Sequence, residues 1–278
     1  MDVKRELQDF YQSYDEEARL ASRCGKVEYV TTMHYIQRFL KPGMRILELG
    51  GAGTGRYSHA LARQGYSVDA VELIEYNIQQ FRQNTRDGEP VTIRQGDATD
   101  LSWLEDDVYD LTLILGPMYH LFDPEDQRKA LREAVRVTRP GGVLFAAYCM
   151  ADPALLSTGF VRGKIQDLIN EGLTNPVTFQ TFSRPKDIFQ LYRKEDIDAL
   201  RSELPVTRLA FAAADGLSYF MRETIETMDE DVYRLYLDYH LTVCERPDMV
   251  GWSHHTLDIF RKNKGAAPMG ESLGAVEL

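Results

Sequence analysis

The chain has 278 residues, of which 44% are hydrophobic and 27% are charged, proportions that are ordinary for a globular protein. Its formal net charge of −11 disfavours a nucleic-acid partner, because an acidic surface repels a phosphate backbone. No apolar run reaches the roughly 18 residues that a membrane span needs, and the first residues lack the apolar core of a signal peptide. The composition therefore predicts a cytoplasmic protein with no membrane or nucleic-acid partner.

The cysteines and histidines give no sign of a disulfide framework or a metal site. Cys24, Cys149 and Cys244 are odd in number and far apart. No pair of cysteine or histidine residues has the spacing of zinc ligands. We therefore predict that no metal takes part.

Residues 1–40 are predicted to form an N-terminal helical cap, since apolar and aromatic side chains recur there at helical spacing. From 41 to 150, short apolar segments alternate with helical ones, which is typical of a parallel sheet covered on both faces. The predicted strands of this core are Met44–Leu49, Ser67–Glu72, Val91–Gln95, Tyr109–Leu115 and Val143–Cys149. The predicted helices are Thr54–Gln64, Ile74–Arg86 and Pro124–Thr138.

The regular alternation ends near Met150. Residues 151–187 have helical character and are predicted to form a lid insertion. Residues 188–262 are predicted to complete the core, with a second helical insertion at about 217–250 and a flexible tail at 263–278. The elements predicted in this second part of the core are a short strand Ile188–Tyr192, a helix Lys194–Ser202, and strands Val206–Ala213 and His255–Arg261.

The segment from Arg45 to Arg56, R-I-L-E-L-G-G-A-G-T-G-R, indicates a strand, a glycine turn and the start of a helix. Such a turn brings backbone amides against a nucleotide-like ligand. Ligands of parallel sheets bind at the carboxyl ends of the strands, where Glu72, Asp97 and His120 also occur. A nicotinamide dinucleotide fits less well, because its motif requires a third glycine at the position of Arg56.

Residues 44–149 resemble the core of the class I S-adenosylmethionine (SAM) dependent methyltransferases. The resemblance lies in I-L-E-L-G-G-A-G-T-G, A-V-E-L, G-D-A, D-L-T-L-I-L-G-P-M-Y-H-L and R-V-T-R-P-G-G-V-L, in the order and at the spacing of that family. It implies an α/β, Rossmann-like fold with a seven-stranded, mostly parallel sheet, an antiparallel last strand and helical lid insertions. It also implies SAM as cofactor and S-adenosylhomocysteine as product.

The same resemblance assigns residues to the parts of the cofactor. Glu48, Gly50 and Gly53 match the motif that holds the methionine part, Glu72 matches the ribose-binding acid, and Asp97 matches the adenine site. Tyr14 and Arg19, in the N-terminal cap, are predicted to reach the carboxylate of the cofactor, and the alternative for both is a position on a solvated helix face. The full predicted set of cofactor-binding residues is Glu48, Gly50, Gly51, Ala52, Gly53, Glu72, Leu73, Asp97, Ala98, Leu115, Tyr14 and Arg19. For Glu72 and Asp97 the alternatives are a solvated strand-end carboxylate and the cap of a turn.

His120 and Tyr119 are the predicted catalytic residues, because they follow the fourth strand, near the expected position of the methyl group. A neutral imidazole can accept a proton from an attacking hydroxyl or amine. The alternative for His120 is a structural role under the lid. His254 and His255, at the entry of the last strand, are interpreted as structural.

These patterns predict transfer of the SAM methyl group to a small-molecule acceptor by in-line displacement. One alternative is a SAM-binding sensor or partner protein without activity, and another is a protein or RNA methyltransferase. The sequence leaves the acceptor atom and the oligomeric state open.

Overall fold

The structure of the protein is a computed structural model that describes residues 3–14, 16–50 and 54–265. Three predicted cofactor-binding residues, Gly51, Ala52 and Gly53, lie outside the described residues, as does most of the predicted flexible tail.

Three helices precede the sheet: α1 (Val3–Ser13), α2 (Glu16–Ala21) and α3 (Arg23–Phe39). Ser22 begins α3 as its N-cap, since its hydroxyl accepts a hydrogen bond from the Gly25 N–H at 3.0 Å. One face of α3 is apolar and packs on the sheet through Tyr35 and Ile36.

Eight strands form a single sheet within the described part of the chain. They are β1 (Arg45–Leu49), β2 (Ser67–Glu72), β3 (Val91–Gln95), β4 (Tyr109–Ile114), β5 (Thr138–Met150), β6 (Leu191–Tyr192), β7 (Val206–Ala213) and β8 (His255–Lys262). The order is β3-β2-β1-β4-β5-β8-β7, and β6 pairs with β5 beside this path. β8 runs antiparallel to both neighbours, whereas the other pairs are parallel. The mostly parallel sheet with an antiparallel last strand is thus confirmed, and β6 is a short eighth strand.

The order of strands places a switch point between β1 and β4. The chain runs outward from β1 to β3 and then returns to place β4 on the other side of β1. Ligands of open α/β sheets bind at such a point, outside the carboxyl ends of the strands.

The helices that follow β1, β2 and β4 are α4 (Arg56–Ala62), α5 (Glu75–Asn84) and α6 (Pro124–Val137). The start of α6 is fixed by Asp123, whose carboxylate accepts from the Glu125 N–H at 2.7 Å, and by Pro124 in the first helical turn. A short 3₁₀ turn, Pro117–Tyr119, lies between β4 and α6.

The segments predicted as insertions contain short helices. After β5 come α7 (Ala151–Leu155), a π-helical turn (Leu156–Val161), α8 (Ile165–Asn170), a 3₁₀ turn (Pro185–Asp187) and α9 (Lys194–Ser202). After β7 come α10 (Arg222–Glu226), α11 (Glu230–Val243) and α12 (Pro247–Val250).

Two cores cover the two faces of the sheet. Side chains of α6 and α9, including Leu131 and Ile197, pack on one face. Side chains of α3 and α4, including Tyr35 and Leu61, pack on the other. The central strands β1, β4 and β5 are mostly buried on both faces, which agrees with their largely apolar sequences.

Two predicted strands differ from the observed ones by more than one residue at an end. The strand predicted at Ile188–Tyr192 is reduced to Leu191–Tyr192, because Ile188 has a φ of 70° that a strand does not permit. The strand predicted from Val143 begins at Thr138 instead, so that the Arg139–Gly142 segment lies within β5.

Candidate functional site

Three neighbouring cavities lie at the carboxyl ends of the strands. The strand-end cavity, of about 500 Å³, is lined by residues that follow β1 to β4. The central cavity, of about 50 Å³, adjoins Gly50, Leu115 and Tyr119. The lid cavity, of about 270 Å³, lies between the N-terminal helices and the segments that follow β5 and β7. Tyr11 of α1 lines all three cavities and therefore marks where they meet.

Two glycines bring the loops after β1 and β4 into close contact. Gly50 has a φ of 65°, and a Cβ atom on it would lie 2.7 Å from Pro117 Cδ. A Cβ atom on Gly116 would lie 2.0 Å from the Gly50 carbonyl oxygen. Gly50 is further held by its N–H, which donates to the Val71 carbonyl at 2.8 Å. Any side chain at either glycine would push the loops apart and reshape the floor of the strand-end cavity.

Glu72 ends β2, lines the strand-end cavity and is only 3% exposed. Its Oε1 accepts a hydrogen bond from the Ile74 N–H at 2.9 Å, whereas its Oε2 is buried without a partner. Burial raises the pKa of Glu72 to about 7. A buried carboxylate oxygen without a hydrogen-bond donor is unfavourable, and Oε2 can accept hydrogen bonds from hydroxyl groups of a ligand.

Asp97 lies at the rim of the same cavity, and its two oxygens differ in their contacts. Oδ1 caps a turn, since it accepts from the Thr99 N–H at 2.9 Å and from the Thr99 hydroxyl at 2.8 Å. Oδ2 has no partner among the described residues and remains available to a ligand. The turn-capping role and the predicted ligand role are therefore compatible. Leu73 and Ala98 add apolar surface to the cavity, as their predicted roles require.

Glu48 is fully buried on β1 and lines none of the three cavities. Its Oε2 accepts from both the backbone N–H and the hydroxyl of Ser58 in α4, while Oε1 is buried without a partner. Burial raises the pKa of Glu48 to about 7. In the described structure Glu48 thus anchors the helix that follows the glycine turn, which is an indirect role.

Arg19 lines the central and lid cavities, but acidic neighbours already hold it. Its guanidinium forms two hydrogen bonds to Glu16, one of 2.9 Å and one of 2.6 Å, and a third of 2.7 Å to Glu28. These bonds use three of its five N–H groups, so two remain for a ligand. Leu115, also predicted, lines the central cavity.

Tyr14 lies in the lid cavity, away from the central cavity in which Arg19 and Leu115 meet. Its ring stacks on Phe10, with ring centroids 4.9 Å apart. The structure therefore does not bring Tyr14 and the strand-end residues together.

His120 lines the strand-end cavity, and both of its ring nitrogens are engaged. Nδ1 lies 3.0 Å from the Ile188 carbonyl and must donate to it, which leaves Nε2 to accept from the Tyr11 hydroxyl at 2.8 Å. Burial lowers the pKa of His120 to about 4, so the ring is neutral at physiological pH. Tyr119, whose hydroxyl donates to the Leu115 carbonyl, lines the central and lid cavities.

A buried ionic network forms one wall of the lid cavity. His255, the first residue of β8, donates from Nδ1 to Asp215 Oδ2 at 2.8 Å, and Glu28 Oε2 lies 3.7 Å from the same nitrogen. Burial alone would lower the pKa of His255, but Glu28 and Asp215 outweigh it and hold that pKa well above its usual value. Burial likewise opposes the ionisation of Asp215, but His255 and Ser253 hold the pKa of that carboxyl well below its usual value. His255 and Asp215 thus form an ion pair.

The sequence analysis missed Tyr11, Glu28 and Asp215, and it interpreted His254 and His255 as structural although both line the lid cavity. Tyr11 lies 109 residues before its partner His120, and Asp215 lies 40 residues before His255. Helical spacing in α1 and α3 offered only a reason for packing. The one available signal was that Asp215 follows the end of a predicted strand, where ligands bind.

Within residues 3–14, 16–50 and 54–265, no helix combines the length and the apolar character that crossing a bilayer requires. No group of three or more His, Cys, Asp and Glu side chains there has an arrangement that suits a metal ion.

Comparison with known proteins gives one family and several relatives. Residues 47–146 match a family model described as a methyltransferase domain. A demethylmenaquinone methyltransferase of Clavibacter sepedonicus is 38% identical over 100 residues, which cover 36% of this chain. The match covers 39% of that protein, so the chain aligns with about two fifths of the length of this curated relative.

Solved structures align over much more of the chain. The geranyl diphosphate C-methyltransferase of Streptomyces coelicolor A3(2), whose structure holds S-adenosylhomocysteine, has a TM-score of 0.58 at 10% identity and covers 94% of this chain and 98% of that one. A SAM-dependent methyltransferase of Methanosarcina mazei has a TM-score of 0.54 at 17% identity and covers 83% and 97% of the two chains. At such identities the likeness shows the fold, and it confirms the predicted class I methyltransferase fold.

The matched domain contains most of β1, all of β2, β3 and β4, and the loops after these strands that line the strand-end cavity. The first four motifs of the resemblance lie on these strands or at their ends, and the fifth leads from α6 into β5. The matched domain and the fold thus agree with the resemblance of this chain to the class I SAM-dependent methyltransferases.

Proposed function

We propose that the protein binds SAM across the strand-end and central cavities and transfers its methyl group to a small molecule in the lid cavity. The observation that carries this proposal is the buried Glu72 Oε2, a carboxylate oxygen without a partner at the end of β2. A ribose supplies two hydroxyl donors, which is what such an oxygen lacks.

The residues present fit the cofactor. Glu72 would accept hydrogen bonds from the ribose, Asp97 Oδ2 would accept one from the adenine amino group, and Leu73 and Ala98 would pack on the adenine ring. Arg19, with two N–H groups left, would hold the carboxylate of the methionine part beside Gly50. When bound, SAM supplies an electrophilic methyl group on its sulfonium.

The protein's own contribution is alignment and exclusion of water. Tyr11 and Tyr119 line both the central cavity and the lid cavity, so they border the path between cofactor and acceptor. Tyr11 is held by its bond to His120 and Tyr119 by its bond to Leu115, and these bonds fix the width of that path.

A small acceptor is supported by the size and the walls of the lid cavity. Its 270 Å³ suffice for one ring system, and its walls include aromatic side chains from α1 and from the segment between β5 and β6. The name of the curated relatives, demethylmenaquinone methyltransferase, also supports a small molecule with a planar ring as acceptor. An open cavity next to the central one favours methyl transfer over a SAM-binding protein without activity.

The test is calorimetric titration of the purified protein with SAM and S-adenosylhomocysteine, with NAD as a third ligand. We expect micromolar binding of the first two. Glu72→Ala should weaken it about 10- to 100-fold, the loss expected for hydrogen bonds to a charged group. Glu75→Ala, the same change at an exposed residue three positions later that lines none of the cavities, is the matched control.

Two results would contradict the proposal. One is equal affinity of the wild type and Glu72→Ala for SAM. The other is binding of NAD with no binding of SAM or S-adenosylhomocysteine.

A further inference from the structure

His255 presents one free ring nitrogen where the central and lid cavities meet, since it lines both. Its Nδ1–H is held by Asp215, which in turn accepts from the Ser253 hydroxyl at 2.6 Å and from the His255 backbone N–H at 3.1 Å. These bonds fix the orientation of the ring. Nε2 has no hydrogen-bond partner within the described ranges, and the side chain keeps 28% of its surface exposed. Nε2 is therefore the ring atom left for a bound molecule.

The charges around His255 decide which kind of group Nε2 can bind. Glu28 from α3 and Asp215 from the loop after β7 both favour the protonated ring, against the effect of burial. A protonated imidazole has only donors, so Nε2–H binds an acceptor atom and favours an anionic one. An ammonium group would be repelled at this position.

The other walls of the lid cavity select a flat, apolar molecule. Phe10 and Phe189 meet edge to face, with centroids 5.6 Å apart, and Tyr219 lies against His254 with centroids 4.0 Å apart. At the edge of the cavity, the Arg222 guanidinium stacks over Tyr219 at 5.1 Å and forms no ion pair within the described part of the chain.

The balance of charge points to the same conclusion. Among the described lining residues, the carboxylates Glu16, Glu28 and Asp215 face the three cations Arg19, Arg222 and His255. The sulfonium of a bound cofactor would add one positive charge to this balanced set. An acceptor with one negative charge would restore neutrality.

We propose that the lid cavity takes a planar aromatic acceptor with an acidic hydroxyl group, bound as its anion, and that His255 donates a hydrogen bond from Nε2 to the oxygen of this group. This assignment rests on the proposed function. The hydroxyl proton is released to water when the acceptor binds, and His255 keeps its own proton throughout. The acceptor oxygen then forms a bond to the methyl carbon while the carbon–sulfur bond breaks, and the electron pair of that bond stays on the sulfur of S-adenosylhomocysteine.

The experiment uses 4-nitrophenol, whose phenol and phenolate forms differ in absorption. The full-length protein is first saturated with S-adenosylhomocysteine, so that the strand-end cavity is filled. The probe is then titrated in at a pH below that at which it ionises in water. We expect the bound probe to absorb as phenolate in the wild type and as neutral phenol in His255→Gln. His34→Gln, the same change at an exposed histidine on α3, should behave like the wild type.

Asp215→Asn serves as a second variant, because it leaves the ring in place but removes one of the two carboxylates, Glu28 and Asp215, that keep it protonated. We expect this variant to bind a smaller fraction of the probe as phenolate than the wild type does. Calorimetry with S-adenosylhomocysteine on every sample shows that each variant is folded. It also separates the two proposals, since failure to bind this ligand would overturn the proposed function itself.

With S-adenosylhomocysteine bound, three results would overturn the role of His255 alone. These are a wild type that binds the probe as neutral phenol, a wild type that does not bind the probe, and a His255→Gln variant that still binds phenolate.

Discussion

Gly50 determines how closely the loops after β1 and β4 approach each other. Its φ of 65° lies in the left-handed region, and Pro117 occupies the space that a side chain would need. Gly43, in the turn before β1, also has a positive φ of 79°, but a Cβ atom there would have no neighbour within 4 Å. Replacing either glycine by alanine therefore strains the backbone, but only the replacement of Gly50 also causes a steric clash.

This difference gives a paired prediction. Gly43→Ala should cost about 1–2 kcal/mol of stability, the strain of a left-handed alanine. Gly50→Ala should cost about 1–3 kcal/mol more, because the methyl group overlaps Pro117, and it should also abolish SAM binding. Urea unfolding measures the first quantity and calorimetry the second. A Gly50→Ala protein as stable as Gly43→Ala, with unchanged affinity for SAM, would contradict this account.

His120 illustrates a limit of sequence reasoning at single residues. Its position after β4 was predicted from motif order, and its place in the strand-end cavity is consistent with that. Its partners could not be predicted, because Tyr11 and Ile188 come from distant segments that only the tertiary fold brings together. With Nε2 occupied by the Tyr11 hydroxyl, His120 can accept a proton only if that bond breaks, so its catalytic role stays a prediction. His255 Nε2, in contrast, has no such partner among the described residues.

For helices and strands, the local sequence pattern was sufficient to predict the bounds wherever the hydrophobic periodicity agreed with the residues that start and stop an element. β2, β3, β7 and α9 have the predicted bounds, because each combines an apolar pattern with clear stops on both sides. The stretch from Ala151 to Asp187 lacked such agreement. Pro153 lies within α7 and a π-helical turn follows, so no single period describes the segment. Its fold depends on packing around the lid cavity, which a local pattern does not encode.

Helix α1 covers the cavities but is weakly anchored. Leu7 is its one buried residue among those described, whereas α3 has seven buried residues. Yet α1 contributes Leu7 and Tyr11 to the strand-end cavity and Phe10 and Tyr11 to the lid cavity. A ligand that fills these cavities would add contacts to α1 that the protein alone does not provide.

We therefore predict that ligand binding protects α1 from hydrogen exchange. Without ligand, the amides of α1 should exchange fast, since few buried contacts oppose local opening. Saturation with S-adenosylhomocysteine should slow their exchange roughly 10-fold or more, as mass action on the closed form requires. Mass spectrometry of exchanged peptides measures this, with α3 as the internal reference. Exchange in α1 that is already as slow as in α3 without ligand would be the contrary result.

For the whole molecule, buried ionisable groups link stability to pH in opposite directions. Burial raises the pKa of both Glu48 and Glu72 from 4.5 to about 7. Between these values the folded state binds more protons than the unfolded state, so these two groups make stability fall as pH rises. His255 acts in the same direction above its usual value of 6.5, because its folded pKa is raised and its stabilisation is lost as pH rises through that pKa.

Other carboxylates limit stability on the acid side. The pKa of Glu28 is held below its usual value by Arg19 and His255 despite burial, and that of Asp215 by His255. These carboxylates contribute their full stabilisation at pH values above the pKa that they have in the unfolded state. This stabilisation is lost as the pH falls through the lower pKa that they have in the folded state. The protein without ligand should thus be most stable in mildly acidic solution.

SAM binding should have the opposite dependence on pH, because ribose hydroxyl donors favour the charged form of Glu72. His120 and His254, whose pKa burial lowers to about 4, make stability rise with pH up to their usual value of 6.5 and so oppose the two glutamates in that range. We expect the melting temperature of the protein without ligand to fall between about pH 6.5 and about pH 8, while the increase caused by SAM grows over the same range. Glu72→Gln removes one buried charge and should raise the melting temperature at the alkaline end. The gain in the free energy of unfolding should be at most about 3 kcal/mol, which is the equivalent of the change in the pKa of Glu72 on folding. The same variant should lose both SAM affinity and its dependence on pH. Thermal unfolding followed by circular dichroism, with and without SAM, measures these effects. A Glu72→Gln variant that is less stable than the wild type at high pH would contradict this account. It would show that Glu72 is not a buried carboxylate without a partner, and that this residue does not connect folding with cofactor binding.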